Sequence, residues 1–293
     1  MATRAGVHPV TPAAPGGGAD AGKQLRVSLL QTAPQLGCVE RNLAKLHAEL
    51  DQLTDTDVAV APELALHGYF LGALDEVDAL AADDQRLAGL GQHGPAVIAG
   101  FVEHRRSDQY NSAAVIDRDR VTVQRKLFLP TYRGWEERKH FRPGGRLQSF
   151  DLRGARAAVL ICNDIWQPPL PWLAVHSGAE VLFVIANSVR SHSVVQVERA
   201  WELLLAHSAV VLQSYVVFVN RSGTECGQEF WGGSRVLGPD GAEIARLGTE
   251  PGRTEATLDL TELRALRRRW PLLREARLDV ISRALETLMQ EED

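Results

Sequence analysis

Short continuous apolar runs alternate with amphipathic stretches along most of the chain. Leu25 to Gln31 reads as a first strand. Residues 39–53 place Val39, Leu43, Leu46, Leu50 and Leu53 on one face at helical spacing. Val58 to Ala61 predicts a second strand, residues 71–90 a helix, and Ala96 to Glu103 a third strand. Ala113–Ile116 and Val121–Gln124 flank Asp117-Arg118-Asp119-Arg120, the pattern of a hairpin closed by a polar turn. Residues 129–146 mix Pro, Gly and charge and read as a long structured loop, a class of segment that usually carries function.

The second half repeats the alternation. Ala157–Ile161 is a strand, and Pro168–Ser177 a helix with Pro in its first turn. Strand Val181–Ile185, helix Val195–Leu212 and strand Tyr215–Asn220 follow. Ser234–Leu237 and Ala242–Leu247, joined by Gly238-Pro239-Asp240-Gly241, predict another hairpin, with Glu255–Leu258 alongside it. From Leu260 the chain is helical and charged, interrupted at Pro271. This pattern predicts an α/β sandwich with helices on its outer faces. One domain would span residues 25–260, between a disordered, Pro/Gly/Ala-rich arm at 1–24 and a helical tail at 261–293.

Composition narrows the function classes. The 293 residues are 45% hydrophobic and 24% charged, with a formal net charge of −5. There is no basic excess to hold nucleic acid, and the acidic excess is too small to imply a cationic partner. The arm has no apolar stretch long enough for a leader or a membrane helix, so no membrane association is expected. Cys38, Cys162 and Cys226 are far apart and odd in number. They match neither a disulfide framework nor a zinc pattern, which points to a reducing cytoplasm. Gly17 to Lys23 fits most of a phosphate-binding loop, but Gln24 stands where the magnesium-binding hydroxyl belongs and a strand follows it. HExxH, CxxC, GxSxG and dinucleotide fingerprints are all missing.

Three apolar runs each deliver one ionisable residue near a strand end. Val58-Ala59-Val60-Ala61-Pro62 leads to Glu63, Val121 to Arg125 leads to Lys126, and Val159-Leu160-Ile161 stops at Cys162. A lone cysteine there is usually a small core residue, and a surface lysine is the commonest kind. A glutamate in apolar sequence, however, must be paired or neutral. Brought together, the three make a general base, an electrophilic cation and a nucleophile able to cleave a carbon–nitrogen bond. Alternation along the strand does not decide whether Arg125 or Lys126 faces inward.

With these residues in order, the chain resembles the nitrilase superfamily of carbon–nitrogen hydrolases. The likeness runs from about Leu25 to Leu258. It includes Pro62-Glu63-Leu64, Tyr110-Asn111-Ser112-Ala113, Arg125-Lys126-Leu127 and the late Asn220-Arg221, Gly232-Gly233-Ser234 and Pro239-Asp240-Gly241 steps. Leu129 to Gly144 and Ile161 to Trp166 are most similar to the glutamine amidase domain of NAD synthetases, without the SGGxDS-type pyrophosphatase motif. The resemblance implies a freestanding amidase with an αββα sandwich that pairs into a homodimer or larger homo-oligomer. It needs no metal or organic cofactor and takes a small-molecule amide as substrate. It implies catalytic roles for Glu63, Lys126 and Cys162, and for Glu137 as a second glutamate that orients the lysine and substrate. Glu136 competes for that role, and spacing to Phe141 favours Glu137. Tyr69, Tyr132 and Trp166 would line the pocket, the Asn163 backbone amide would join Lys126 at the oxyanion, and Asn187 and Ser188 would meet substrate. Asn163 departs from the acidic or aromatic residue usual after the cysteine. Nitrilase, N-carbamoyl amidohydrolase and acyltransferase activities use the same thioester, and an idle scaffolding member is the alternative from another class.

Overall fold

Two six-stranded sheets lie face to face, each covered on its outer side by helices. The computed structural model describes residues 23–70, 72, 78–131, 136–190 and 196–291. The expected disordered arm lies outside them, except for its last two residues. The first sheet has the order β14-β1-β2-β3-β4-β5, from β1 (Gln24–Gln31), β2 (Val58–Val60), β3 (Ala96–Arg105), β4 (Asp108–Asp117), β5 (Arg120–Arg125) and β14 (Gly252–Asp259). The second has the order β13-β12-β9-β8-β7-β6, from β6 (Ser149–Leu152), β7 (Ala155–Ile161), β8 (Val181–Ala186), β9 (Tyr215–Asn220), β12 (Arg235–Leu237) and β13 (Glu243–Arg246). β10 (Ser222–Glu225) and β11 (Gln228–Trp231) form a separate two-stranded hairpin.

Side-chain alternation explains the layering. On β7, Ala157, Val159 and Ile161 point into the core between the sheets, while Ala158 and Leu160 point to the outer helices. On β8, Val181, Phe183 and Ile185 point inward, and Leu182 and Val184 outward. Strands buried on both faces read as continuous apolar runs, which is why these two are so plain in the sequence. α4 (Pro169–His176) and α5 (Val197–Val211) cover the second sheet. α1 (Val39–Leu50) covers the first with Val39, Leu43, Leu46 and Leu50. The αββα sandwich is the expected architecture.

Several local expectations need correction. The helix over 71–90 is not continuous: residues 71 and 73–77 lie outside the described set, and Leu80 forms a β-bridge with Glu103. Further along, α2 (Gln85–Gly89), capped by the Asp84 side chain, and a 3-10 turn at Leu90–His93 are helical. Glu255–Leu258 does not flank the late hairpin as a partner strand. It belongs to β14 and pairs antiparallel with β1, which turns Ala256 and Leu258 into the core. The 129–146 loop contains the short helix α3 (Glu137–His140). Helix α6 (Leu260–Arg269) begins where the tail was expected to start, yet Leu260 and Leu263 belong to the inner core. Beyond Pro271, α7 (Leu278–Glu291) buries none of its residues.

Candidate active site

Glu63, Lys126, Cys162 and Asn187 all lie just past the carboxyl end of a strand: β2, β5, β7 and β8 respectively. β2 is parallel to β3, β5 runs in the same sense through two antiparallel steps, and β7 is parallel to β8. Carboxyl ends of co-directional strands are where α/β sheets gather ligand-binding residues. Glu63 is brought in by close backbone packing. A Cβ on Gly100 of β3 would sit 2.2 Å from the Leu64 nitrogen and 2.6 Å from the Glu63 Cα, so only glycine admits the approach. Cys162 opens a 3-10 turn with φ of 48°, a left-handed conformation costly for a side-chain-bearing residue and typical of functional turns.

Lys126 is the centre of the cluster. Its Nζ donates to Glu63 Oε1 at 2.7 Å and to Glu137 Oε1 at 2.8 Å, and all three side chains are fully buried. Arg125 turns the other way: it pairs with Glu103 and lies over the Tyr110 ring at 3.9 Å. This settles which of the two adjacent cations faces inward. Glu63 also accepts the Asn111 Nδ2–H at 2.7 Å on Oε1 and the Asn187 backbone N–H at 2.7 Å on Oε2. Glu137 Oε1 accepts the Tyr69 hydroxyl at 2.7 Å, while its Oε2 has no hydrogen-bond partner among the described residues. Glu136 is half-exposed and pairs with Lys139, so Glu137 is the glutamate that enters the cluster.

Two carboxylates, one ammonium and one thiol share this enclosed space. Burial works against the lysine charge, but Glu137 and Glu63 outweigh it and hold the ammonium well above its ordinary range. Burial pushes the Glu137 carboxyl upward, Lys126 draws it back, and Glu63 adds to the rise. The Cys162 thiol is raised well above the usual range, first by burial, then by Glu63 and Glu137, with Lys126 and the Asn187 backbone amide pulling the other way. At neutral pH the resting thiol therefore keeps its proton. A thiolate there would have to arise by proton transfer inside the cluster, which leaves its net charge unchanged. Tyr69 stays a phenol, its acidity suppressed by burial and by Glu137.

A family model for carbon–nitrogen hydrolases matches residues 26–268. The chain belongs to that family. The (R)-stereoselective amidase of a Pseudomonas species is 31% identical over 260 residues, covering 87% of this chain and 92% of the relative. The glutamine-dependent NAD(+) synthetase of Thermotoga maritima is 34% identical over 230 residues, covering 76% of this chain but 40% of the synthetase. The crystal structure of a CN-hydrolase superfamily protein from Xanthomonas campestris superposes with a TM-score of 0.79 at 19% identity, over 87% of this chain and 97% of the other.

The remaining expected site residues of this carbon–nitrogen hydrolase are placed unevenly. Asn187 is central: besides its backbone bond, its Nδ2 donates to the Glu63 carbonyl at 2.8 Å. Ser188 is committed elsewhere. Its hydroxyl accepts the indole N–H groups of Trp201 and Trp231, both at 2.9 Å, which ties α5 to β11. Asn163 donates its side-chain amide to the Phe128 carbonyl at 3.1 Å. Trp166 is partly exposed and meets Trp201 edge-on, with ring centroids 5.2 Å apart. Tyr132 lies outside the described residues. Two contributors had no role in the sequence reading. Asn111 sits in a motif quoted only for its resemblance, and Asp164 lies inside the Ile161–Trp166 stretch, quoted there only for its similarity. Among the described residues, no group of three or more His, Cys, Asp or Glu side chains is arranged to hold a metal ion. No described helix is long and apolar enough to cross a membrane.

Proposed function

We propose that the protein hydrolyses the carbon–nitrogen bond of a small amide through a thioester on Cys162. The observation that carries this reading is the buried ammonium of Lys126 between two carboxylates, beside a thiol that feels all three charges. Glu63 takes the Cys162 proton as the sulfur attacks the amide carbon. The carbonyl oxygen becomes an oxyanion held by Lys126 Nζ and the Asn163 backbone N–H. Collapse breaks the carbon–nitrogen bond, Glu63 returns its proton to the leaving nitrogen, and ammonia departs. Water, deprotonated by Glu63, then attacks the thioester carbon. The second collapse releases the carboxylic acid and restores the thiol, so amide plus water gives acid plus ammonia. Glu137 fixes the lysine, and its unpartnered Oε2 is an acceptor for a substrate N–H.

The amidase relative supports an amide as substrate, and the synthetase relative adds glutamine to the compounds worth testing. Ammonia release is to be measured with glutamine, other ω-amides, carbamoyl amines and nitriles, in wild type and in Glu63→Gln. Turnover of an amide that drops by about 10²–10⁴-fold in the variant, with unchanged circular dichroism, is the expected result. Nitrile or carbamoyl turnover alone would reassign the substrate class. Silence on every compound would favour a binding or scaffolding role. A homo-oligomer in the cytoplasm is part of the same proposal. The assembly is supported by apolar side chains left exposed on α5 and α7, among them Leu203, Val211, Leu285 and Leu288, and the location by three free cysteines.

A further inference from the structure

Outside the two main sheets, Glu225 at the end of β10 makes a buried ion pair with Arg221, just before that strand, which the reaction scheme does not use. Glu225 and Arg221 meet at 2.8 Å, and both are nearly excluded from solvent. Such a pair is weak evidence of stability, because desolvation cancels most of its attraction. Its partners show what it does hold. Glu225 Oε1 accepts the backbone N–H groups of both Tyr69 and Phe70 at 2.8 Å. Arg221 is fixed in turn by the Pro34 carbonyl at 3.2 Å and by the Phe230 ring, whose centroid lies 4.2 Å from the guanidinium carbon. Gly68 has φ of +82°, and a Cβ there would sit 2.6 Å from Glu225 Oε2. The loop thus packs its backbone against this carboxylate and against Leu36, whose Cα would lie 2.9 Å from the same Cβ.

The contact leads to the cluster. Tyr69 donates to Glu137 Oε1, and both hydrogen bonds that orient Glu137 converge on that oxygen, one from Tyr69 and one from Lys126. With Oε2 unpartnered, the carboxylate has no third restraint among the described residues. We propose that Glu225, braced by Arg221, is a positioning residue for Glu137 and acts through Tyr69. The proposal rests on the amide-hydrolase reading for its consequence in turnover. The hairpin thereby becomes part of the reaction machinery without touching the reacting atoms, since displacement of about 1 Å at a supporting contact can cost on the order of 10²-fold in rate.

A double-mutant cycle tests this with Glu225→Gln, Tyr69→Phe and the two combined, using the amide that wild type turns over. Each single variant should lose roughly tenfold or more in kcat with KM within about twofold, and the combination should be no slower than Tyr69→Phe alone. Losses that multiply would overturn the proposal, because Glu225 would then act independently of the tyrosine. Glu225→Asp, which keeps the ion pair but withdraws from the backbone amides, should behave like Glu225→Gln rather than wild type. Where Glu225→Gln does not fold, Gly68→Ala perturbs the same contact from the loop side and should give the same kinetic split. A second arm needs no substrate: the pH profile of Cys162 alkylation, followed by peptide mapping. It should shift equally in both single variants and no further in the double. A Glu225→Gln profile that superimposes on wild type would defeat the positioning role. If wild type hydrolyses no amide, the functional reading falls while this arm still judges the contact.

Discussion

Asp164 accepts the backbone N–H of Phe128 at 2.8 Å and so fastens the cysteine turn to the chain just past Lys126. The same Oδ1 accepts Leu127 N–H at 3.0 Å, and Oδ2 accepts Ile161 N–H at 3.1 Å, immediately before Cys162. One buried carboxylate thus sets the Cys162 turn relative to Lys126. Asparagine cannot replace it, because one of its two polar atoms is a donor and would face a backbone donor. Asp164→Asn should lower turnover by about 10- to 10²-fold through displaced geometry.

The same residue leaves a signature in stability. Burial pushes the Asp164 carboxyl from an ordinary 3.8 to about 7, against the pull of the Phe128, Ile161 and Leu127 amides and of Lys126. The folded state therefore keeps a proton that the unfolded chain has already lost between about pH 4 and 7. The Asp164 contribution to stability falls as pH rises through that window and is level above it. At about 1.4 kcal/mol per pH unit, the span amounts to a few kcal/mol. Denaturant unfolding at pH 5 and pH 8 should show this slope in wild type relative to Asp164→Asn. Parallel curves for the two proteins would contradict the assignment.

Gly100 offers a test of how Glu63 is placed. Its missing Cβ is the space that the Glu63–Leu64 backbone occupies, and backbone atoms cannot swing aside as a side-chain end can. Gly100→Ala should cost about 1–3 kcal/mol in stability by overpacking. Activity should fall more than tenfold, on the order expected for a misplaced base. Gly145→Ala, where an added methyl meets nothing within 4 Å, is the matched control and should leave both unchanged. A fully active Gly100→Ala would show that Glu63 does not depend on this contact.

What the sequence revealed and what it hid have physical reasons. β7 and β8 were plain because both faces are buried, and Cys162 stood out because a thiol ended one of those runs. Lys126 against Arg125 could not be resolved by period-two alternation, since the choice depends on Glu63 and Glu137 lying on one side and Glu103 on the other. The hairpin β10–β11 was missed because Ser222-Gly223-Thr224-Glu225 lacks an apolar alternation: it buries an ion pair rather than a stripe. Ser188 followed the right strand, but its hydroxyl serves two tryptophans, a commitment only the fold creates.

Oligomeric state is measurable directly. α5 exposes Leu203 and Val211, and α7 presents Leu278, Ile281, Leu285 and Leu288 at three-four-three spacing with no buried residue. That spacing is the seam of a paired helix, and a single chain leaves it wet. Light scattering at micromolar concentration should report a mass of at least twice 32.1 kDa. Leu285→Glu with Leu203→Glu should lower it. A constant mass of one chain in wild type would refute the assembly.

Thiol chemistry gives the last prediction. Cys226 is exposed, whereas Cys162 is only partly exposed and its thiol is held protonated by burial and by Glu63. Simple accessibility thus favours Cys226, and ordinary thiolate supply does not favour Cys162. Only Cys162 has a carboxylate beside it to take the proton and a cation to steady the sulfur. Iodoacetamide, itself a small primary amide, should therefore label Cys162 in wild type faster than Cys38 or Cys226, in proportion to loss of turnover. Lys126→Met removes the one group whose charge favours the thiolate directly and should slow Cys162 labelling by about tenfold or more, leaving Cys226 unaffected. Peptide mapping after partial modification reads all three sites in one sample. Label spread evenly over the cysteines, or Cys162 modified with turnover intact, would remove Cys162 as the nucleophile. The thioester scheme would fall with it, because no other described cysteine adjoins Lys126 and Glu63.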